Sequence, residues 1–243
     1  MTTIAHHLRF VHDRMHAACL SSGRDPASVR LLAVSKTFGT GAVVEAVLAG
    51  QTAFGENYIA EGVDKIQALR RWLTDAADRS GTPANALEWH CIGPVQSNKT
   101  RLVAEHFDWV QSVDRLKIAQ RLSEQRPAGM APLQVCLQVN SDGGANKSGV
   151  PPDAVLALAR EVAQLPRLVL RGLMAIPEPA IDFVAACTLH SGVKALFDQI
   201  NASGALAQPM DTLSLGMTAD LEAAIHTGST MVRIGTAIFG GRG

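Results

Sequence analysis

The sequence predicts an α/β fold, a single-domain parallel (β/α)8 TIM barrel, on three observations. Eight short runs rich in apolar and β-branched residues recur along the chain, helical patterns alternate with them, and the length of 243 residues is close to the ~250 residues typical of this barrel. Several runs are almost continuously apolar, which is typical of strands covered on both faces. A doubly wound open sheet is the competing architecture, because periodicity alone does not separate the two.

The apolar runs and the helical patterns give the order of the elements. The predicted strands cover residues 29–35, 52–55, 89–95, 109–112, 133–140, 168–176, 212–216 and 231–235. The predicted helices cover residues 4–21, before the first strand, and 41–49, 59–77, 115–124, 152–164, 183–203 and 219–227. The stretch 74–85 is expected to be an exposed loop before the third strand. Because no linker-like segment divides the chain, residues 1–243 are expected to form one domain.

Composition excludes several classes of function. The chain has 22 Lys+Arg and 22 Asp+Glu, so its formal net charge is 0, whereas nucleic-acid binders normally carry a basic excess. It has no apolar stretch of the roughly 18 residues that a membrane span needs, and its first residues lack the apolar run of a signal peptide. We therefore expect a cytoplasmic protein without nucleic-acid or membrane partners. The four cysteines, too widely spaced for structural zinc, are expected to be small buried residues: Cys19, Cys91, Cys136 and Cys187.

The residues that follow each predicted strand are the candidates for a binding site, because parallel α/β folds bind ligands at the carboxyl ends of their strands. Lys36 follows the apolar run 31–34. An amine held among apolar walls loses part of its preference for the ammonium form, which makes it a usable Schiff-base nucleophile. An ordinary surface lysine at a strand terminus is the alternative.

The end of the chain predicts an anion site near Lys36. Thr218 opens the helix predicted after the seventh strand and is a candidate N-cap beside an anion. Arg233, Gly235 and Thr236 lie at the end of the eighth strand, where a glycine lets the backbone approach a ligand closely. Barrel enzymes often bind phosphate with these two loops. In a closed barrel the first strand adjoins the eighth, so the lysine and the anion site are predicted to share one pocket.

Several motifs together resemble a known family. They are AVSKT at 33–37, FGENY at 54–58, WHCIGPVQSNK at 89–99, QVN at 138–140 with KSGV at 147–150, and LSLGMTADLEAAI with GSTMVRIGTAIFG within 213–240. In this order they are similar to the pyridoxal-phosphate homeostasis protein family, whose barrels share the fold of the alanine racemase amino-terminal domain, PLP fold type III. Threonine at 218, where the family usually has serine, preserves the hydroxyl.

The resemblance implies pyridoxal 5′-phosphate (PLP) as the cofactor and assigns roles to residues. Lys36 would carry PLP as a Schiff base, Arg233 would face the pyridine ring, and Asn57 would lie beside the ring. The residues expected to hold the phosphate are Thr218, Gly235 and Thr236, and Met217 completes the predicted cofactor-binding set.

An arginine partner for the ring favours the unprotonated pyridine and so discourages carbanion chemistry. The chain has one tyrosine, Tyr58, and ends soon after the last predicted strand, so no second domain is expected to supply a second base. We therefore expect a PLP homeostasis and delivery protein without robust turnover, a monomer or weak dimer, with PLP-dependent apoenzymes as recipients. The alternatives are a small amino-acid racemase or related PLP enzyme, and a barrel that binds another phosphorylated metabolite.

Other features are expected to be structural. His12 and His16 have the spacing of metal ligands but no third ligand nearby, so a solvated helix face is expected. His90 is expected to be a hydrogen-bonded core or pocket-floor imidazole. The segment 142–146 is interpreted as a flexible loop over the pocket, with Lys147 in reach of the cofactor. The charged helical segment 64–71 is expected to be a solvated face.

Overall fold

Eight parallel strands form a closed barrel in which each strand pairs with the next and β8 pairs back to β1. The computed structural model describes residues 2–80, 86–143 and 148–241, with the backbone alone for 76–80. The strands are β1 (Arg30–Val34), β2 (Ala53–Glu56), β3 (Glu88–Cys91), β4 (Trp109–Val113), β5 (Leu133–Val139), β6 (Leu168–Ala175), β7 (Thr212–Ser214) and β8 (Met231–Ile234). The prediction of a (β/α)8 barrel is confirmed, and the open-sheet alternative is excluded.

Helices surround this barrel. Within the described ranges they are α1 (Thr3–Ser21), α2 (Thr40–Leu48), α3 (Ile59–Ser80), α4 (Thr100–His106), α5 (Leu116–Gln125), α6 (Val155–Val162), α7 (Phe183–Ala202), α8 (Leu221–His226) and α9 (Thr236–Phe239). Short 3-10 turns cover Pro26–Ser28 and Pro152–Ala154. None of these helices is long and apolar enough to cross a membrane.

Two helices were not predicted, and the bounds of two others bear on the predictions. Helices α4 and α9 were not predicted, because seven and four residues are too short for a helical period to show. Helix α3 continues to Ser80, so the first part of the predicted loop 74–85 is helical, and residues 81–85 lie outside the described chain. Helix α8 begins at Leu221 with Asp220 as its N-cap. The expectation that Thr218 is the N-cap was therefore wrong.

The alternation of side chains along β1 explains how the barrel places Lys36. Leu31 and Ala33 pack in the main core, which also contains residues of the surrounding helices. Leu32 and Val34 pack with Ala53, Ile92 and Met231 in a separate cluster. Because successive side chains of a strand point to opposite faces, these two sets occupy the outside and the lumen of the barrel. Lys36, two residues beyond Val34, continues the lumen-facing series at the mouth of the barrel.

Helix α1 supports the loops that follow β7 and β8. The guanidinium of Arg14 donates to both carboxylate oxygens of Glu222 at 2.7 and 2.8 Å and to the carbonyl of Thr218 at 3.1 Å. Nδ1 of His7 lies 2.9 Å from the carbonyl oxygen of Ile238. His12 and His16 are exposed, and the described residues contain no group of three His, Cys, Asp or Glu that could hold a metal ion.

Replacing Gly172 by alanine is predicted to lower the free energy of unfolding by about 3 kcal/mol, because the added Cβ would overlap the Thr212 carbonyl across the β6–β7 pairing. Gly192→Ala, an exposed position of α7 with open space around it, is the control and is expected to gain about 0.5–1 kcal/mol. Urea unfolding measures both variants. Equal stabilities would show that β6 and β7 do not approach as closely as described.

Candidate ligand-binding site

A cavity of about 290 Å³ lies at the carboxyl ends of the barrel strands. The pairing of Leu32 with Arg233 and of Ala33 with Ile234 places the end of β1 beside the end of β8. The cavity therefore joins residues from both ends of the chain. All seven residues predicted for the site line it, together with apolar walls: Val34, Lys36, Asn57, Ile92, Ile176, Met217, Thr218, Ala219, Arg233, Gly235 and Thr236.

Lys36 lies in a tight turn directly after β1. The N–H of Phe38 donates to the carbonyl of Ser35 at 3.1 Å, so Lys36 and Thr37 occupy the two central positions of the turn. Thr37 has φ +69°, a left-handed conformation that is uncommon for residues other than glycine and costly for a β-branched side chain. The half-buried Lys36 side chain lines the cavity. The backbone is thus strained at Thr37, the residue that follows Lys36.

Three charged side chains hold this turn, and we name them the turn clamp: Glu56, Glu61 and Lys65. The ammonium of Lys65 lies 2.7 Å from both Glu56 Oε1 and Glu61 Oε1 and donates to the Ser35 carbonyl at 2.7 Å. The Thr37 N–H donates to Glu61 Oε1 at 2.6 Å. Burial raises the pKa of Glu56, against the opposing hydrogen bonds from Lys65 and Ser35.

The turn clamp was not predicted. The segment 64–71 was expected to be a solvated face, and for Lys65, which is 4% exposed, that expectation is wrong. Lys65 is buried because its ammonium finds acceptors on β2, on α3 and at the end of β1, and this compensates for its desolvation. Its spacing of four residues from Glu61 is the one signal that sequence offered.

Asn57 follows β2, and its backbone packs closely against Gly93, a glycine two residues beyond the end of β3. A Cβ at Gly93 would overlap the carbonyl of Asn57, so only glycine lets the two backbones approach in this way. The side-chain Oδ1 of Asn57 is buried and has no hydrogen-bond partner among the described residues. Because such an atom is costly to leave unsatisfied, a ligand with a hydrogen-bond donor fits this part of the cavity.

Two threonine hydroxyls meet at the other end of the cavity. Oγ1 of Thr218 and Oγ1 of Thr236 lie 3.2 Å apart, one in the turn after β7 and the other at the start of α9. The Met217 N–H donates to Asp220 Oδ1 at 2.7 Å, and Arg14 holds the Thr218 carbonyl. The two hydroxyls therefore belong to loops with fixed backbones and can both donate to one anionic group.

Arg233 is the buried charge of the cavity. Its Nη1 donates to the carbonyl and to Oγ of Ser214 at 2.7 and 2.8 Å, and its Nη2 donates to the carbonyl of Ala175 at 2.8 Å. Burial lowers the pKa of Arg233 to about 10, with the charge of Asp220 opposing. The guanidinium is therefore cationic at pH 7, and its remaining N–H groups are available to a ligand acceptor.

A chain of hydrogen bonds continues from Ser214 through the lumen of the barrel. Ser214 Oγ donates to Gln111 Oε1 at 2.7 Å, Gln111 Nε2 lies 2.9 Å from His90 Nδ1, and His90 Nε2 lies 2.7 Å from Glu88 Oε1. Burial lowers the pKa of His90 although Glu88 opposes it. The neutral imidazole then donates from Nε2 to Glu88 and accepts at Nδ1 from Gln111, so every donor points from Arg233 towards Glu88.

His90 therefore lies in the core and not in the cavity, and its ring stacks on Trp109 with centroids 5.0 Å apart. Arg30 donates to Glu88 Oε1 at 2.7 Å at the opposite end of the barrel. Burial raises the pKa of Glu88, but the hydrogen bond from His90 and the charge of Arg30 outweigh it and lower the pKa to about 2. Gln111 and Ser214, which connect this ion pair to Arg233, were not predicted.

A second cavity of about 520 Å³ adjoins the first and shares Asn57, Ile92, Ile176 and Met217 with it. Its other walls include Pro94 and the segment that follows β6. The predicted loop over the pocket falls partly on residues 144–147, so Lys147 lies outside the described residues.

The arrangement suits a small ligand that carries an anionic group, a hydrogen-bonding ring and a carbonyl. The hydroxyls of Thr218 and Thr236 can donate to an anion, Arg233 can donate to a ring acceptor, and the amine of Lys36 can attack a carbonyl carbon. Apolar side chains, among them Val34, Ile92 and Ile176, form part of the wall beside the amine. No single residue in this set is specific, but the combination restricts the ligand class strongly.

Comparisons with known proteins agree in family and fold. The family described as alanine racemase, N-terminal domain, matches residues 15–243. The chain is 53% identical over 242 residues to a pyridoxal phosphate homeostasis protein of Pseudomonas aeruginosa, covering 100% of this chain and 97% of that protein. PipY of Synechococcus elongatus, solved with PLP bound, has a TM-score of 0.78 and 32% identity, covering 98% of this chain and 100% of PipY. Alanine racemase of Clostridium difficile, with a TM-score of 0.69 and 15% identity over 97% of this chain and 56% of the racemase, shares the fold.

The ion pair at Glu88 predicts an acid-dependent contribution to stability. Because the pKa of Glu88 falls from the usual 4.5 to about 2 on folding, its contribution is complete above pH 4.5 and is lost as the pH falls towards 2. The difference in free energy of unfolding between wild type and Glu88→Gln should therefore shrink between pH 7 and pH 3. Urea titrations measure it, with Glu161→Gln on the surface of α6 as the control. A difference that does not change with pH contradicts the assignment.

Proposed function

The chain belongs to the pyridoxal phosphate homeostasis protein family, and from this we propose that it binds PLP as a Schiff base on Lys36 and serves PLP homeostasis and delivery in the cytoplasm. One observation carries the proposal. A single cavity brings together the Lys36 amine, the paired hydroxyls of Thr218 and Thr236, and the buried guanidinium of Arg233. The PLP bound by PipY and the name of the Pseudomonas aeruginosa relative support the choice of ligand.

The cavity residues fit PLP group by group. Thr218 and Thr236 donate to the phosphate, and Gly235, which connects β8 to Thr236, lines the same cavity. Arg233 donates to the pyridine nitrogen, and Asn57, whose Oδ1 has no partner among the described residues, lies beside the ring. PLP supplies an aldehyde, which condenses with the Lys36 amine to form a C=N bond and release water. Met217 and Ile176 cover the ring with apolar surface.

The same residues favour carriage over turnover. A guanidinium that stays charged keeps the ring nitrogen unprotonated, so the ring is a weaker electron sink. Racemisation also needs a second proton-transfer group opposite the lysine. Among the described residues that line the cavity, Lys36 is the one side chain suited to proton transfer, so this lining supplies no second group opposite it. The half-exposed Tyr58 does not line the cavity. PLP-dependent apoenzymes are the proposed recipients.

A turnover assay separates this proposal from its alternatives. Racemisation of a panel of L-amino acids at rates above roughly 1 s⁻¹, which is ordinary for an enzyme, would replace the carrier with a racemase. Failure to bind added PLP, with binding of another phosphorylated compound, would leave only a phosphate-binding barrel.

Lys36→Ala is predicted to abolish the adduct that borohydride fixes, because no other lysine lines the described cavity. Phosphate contacts can retain some PLP without the covalent bond. Visible absorbance before and after reduction, followed by peptide mass mapping, gives the result. Lys117→Ala, an exposed position on α5, is the matched control and should keep the adduct. An unchanged adduct in Lys36→Ala would move the site to another lysine, Lys147 first.

Thr218→Val is predicted to weaken binding of PLP by about 10- to 100-fold, the range for losing one hydrogen bond to a charged acceptor. Binding of pyridoxal, which lacks the phosphate, should stay unchanged, because the hydroxyl has no partner in that ligand. Equilibrium titrations with both compounds measure the ratio. Thr188→Val, whose hydroxyl donates within α7 to the Val184 carbonyl, is the control. Equal losses for both ligands would place the phosphate elsewhere.

A further inference from the structure

The turn that carries Lys36 has an unfavourable backbone held by unusually costly side chains. Thr37 has φ +69°, where glycine or asparagine is the ordinary choice and a β-branched residue is not. A turn with this residue at its third position needs external support to persist. The support comes from the turn clamp, which bonds to the residue on each side of Lys36.

Lys65 and Glu61 make the contacts that connect the turn clamp to the backbone of the turn. The Lys65 ammonium donates to the Ser35 carbonyl and to Glu56 Oε1, both at 2.7 Å, and forms an ion pair with Glu61 Oε1 at 2.7 Å. Glu56 also accepts from Ser35 Oγ at 2.6 Å. Glu61 accepts the Thr37 N–H at 2.6 Å. The backbone on both sides of Lys36 is therefore fixed, and the Lys36 side chain lines the cavity.

Stability alone does not account for this cluster. Glu56 is fully buried and Lys65 nearly so, and Glu56 Oε2 has no hydrogen-bond partner among the described residues. A buried ion pair with an unsatisfied oxygen stabilises no better than a packed apolar group of similar volume. What an apolar group cannot do is accept the Thr37 N–H and donate to the Ser35 carbonyl. The turn clamp therefore fixes one backbone geometry of the turn, and the desolvation of Glu56 and Lys65 is the free-energy cost.

Resting on the proposed function, we propose that Glu61 and Lys65 are positioning residues, which hold the Ser35–Phe38 turn in the strained geometry that aims the Lys36 amine at the PLP aldehyde. Their contribution is to the rate of imine formation, because the amine must approach the carbonyl carbon along a defined direction. Lys65 itself is excluded as the nucleophile, since its ammonium is held by Ser35, Glu56 and Glu61 and its side chain does not line the cavity that contains Lys36.

Glu61 is the position to test, because we expect its replacement to leave the fold intact. Its side chain is 33% exposed and borders an open cavity on the outer side of the turn. In Glu61→Ala, water reaches the Thr37 N–H, so no dry unsatisfied donor is created. Lys65 keeps Glu56 as its ion-pair partner.

The experiment compares Glu61→Ala, Glu61→Gln, Thr37→Gly and the double variant Glu61→Ala/Thr37→Gly, with the exposed Glu161→Ala on α6 as the control. PLP is added to each PLP-free protein, and visible absorbance in a stopped-flow instrument gives the rate of imine formation on Lys36. Hydrogen exchange of the 35–38 amides, measured without PLP, reports the turn directly. Urea unfolding reports global stability.

Glu61→Ala should form the imine about 10- to 100-fold more slowly and exchange the Thr37 amide faster, with an unfolding midpoint near that of wild type. Glu61→Gln keeps an acceptor oxygen and should stay close to wild type. Thr37→Gly should restore the rate of Glu61→Ala, because glycine adopts positive φ without penalty. Such a rescue is not expected of a residue that only stabilises the fold.

A wild-type rate and wild-type amide protection in Glu61→Ala would overturn the positioning role. A slow rate that follows a lowered unfolding midpoint, with no rescue by Thr37→Gly, would assign Glu61 to stability alone and also overturn it. If wild type itself forms no reducible adduct on Lys36, the proposed function fails and this inference fails with it. That outcome is separate from the other two.

Discussion

The pairing of β8 with β1 is the constraint on which the site depends. Lys36 and Arg233 come from opposite ends of the chain, and they share a cavity only because Leu32 pairs with Arg233 across the closing seam of the barrel. Parallel strands paired in register also align their carboxyl ends. The loops that follow β7 and β8 therefore meet Lys36 at one end of the barrel. Arg14 on α1 reinforces the seam from outside by holding the loop at Thr218.

The lumen of the barrel contains a chain of polar groups beside its apolar cluster. Buried polar groups are costly unless each finds a partner, and a connected network satisfies them in one arrangement only. From Arg233 through Ser214, Gln111 and His90 to Glu88 each donor meets the next acceptor. The guanidinium in the cavity is thus oriented by groups that do not line the cavity.

The fold and the cavity residues were predictable because both follow local rules. Apolar runs give strands, and residues just after them fall at the mouth of a parallel barrel. The lumen network and the turn clamp were not, because they depend on which distant side chains meet. In the sequence Gln111 is indistinguishable from any other polar residue of a strand. The spacing of Glu61 and Lys65 indicates an ion pair, but it does not show that Lys65 is buried and also pairs with Glu56. Positive φ at Thr37 left no trace in the sequence either.

The turn clamp, the lumen network and helix α1 share one property. Each fixes a cavity residue through groups that do not themselves line the cavity. Lys36 is fixed through its backbone, Arg233 through the lumen, and Thr218 through its carbonyl. Groups that are already ordered lose little conformational entropy when a ligand binds. Few ligand contacts therefore suffice for affinity. Under the proposed function, a recipient protein that offers its own phosphate site and lysine would need to replace only a small number of these contacts. The proposed retention of PLP and its proposed release to a recipient are therefore compatible in one site whose residues are ordered before binding.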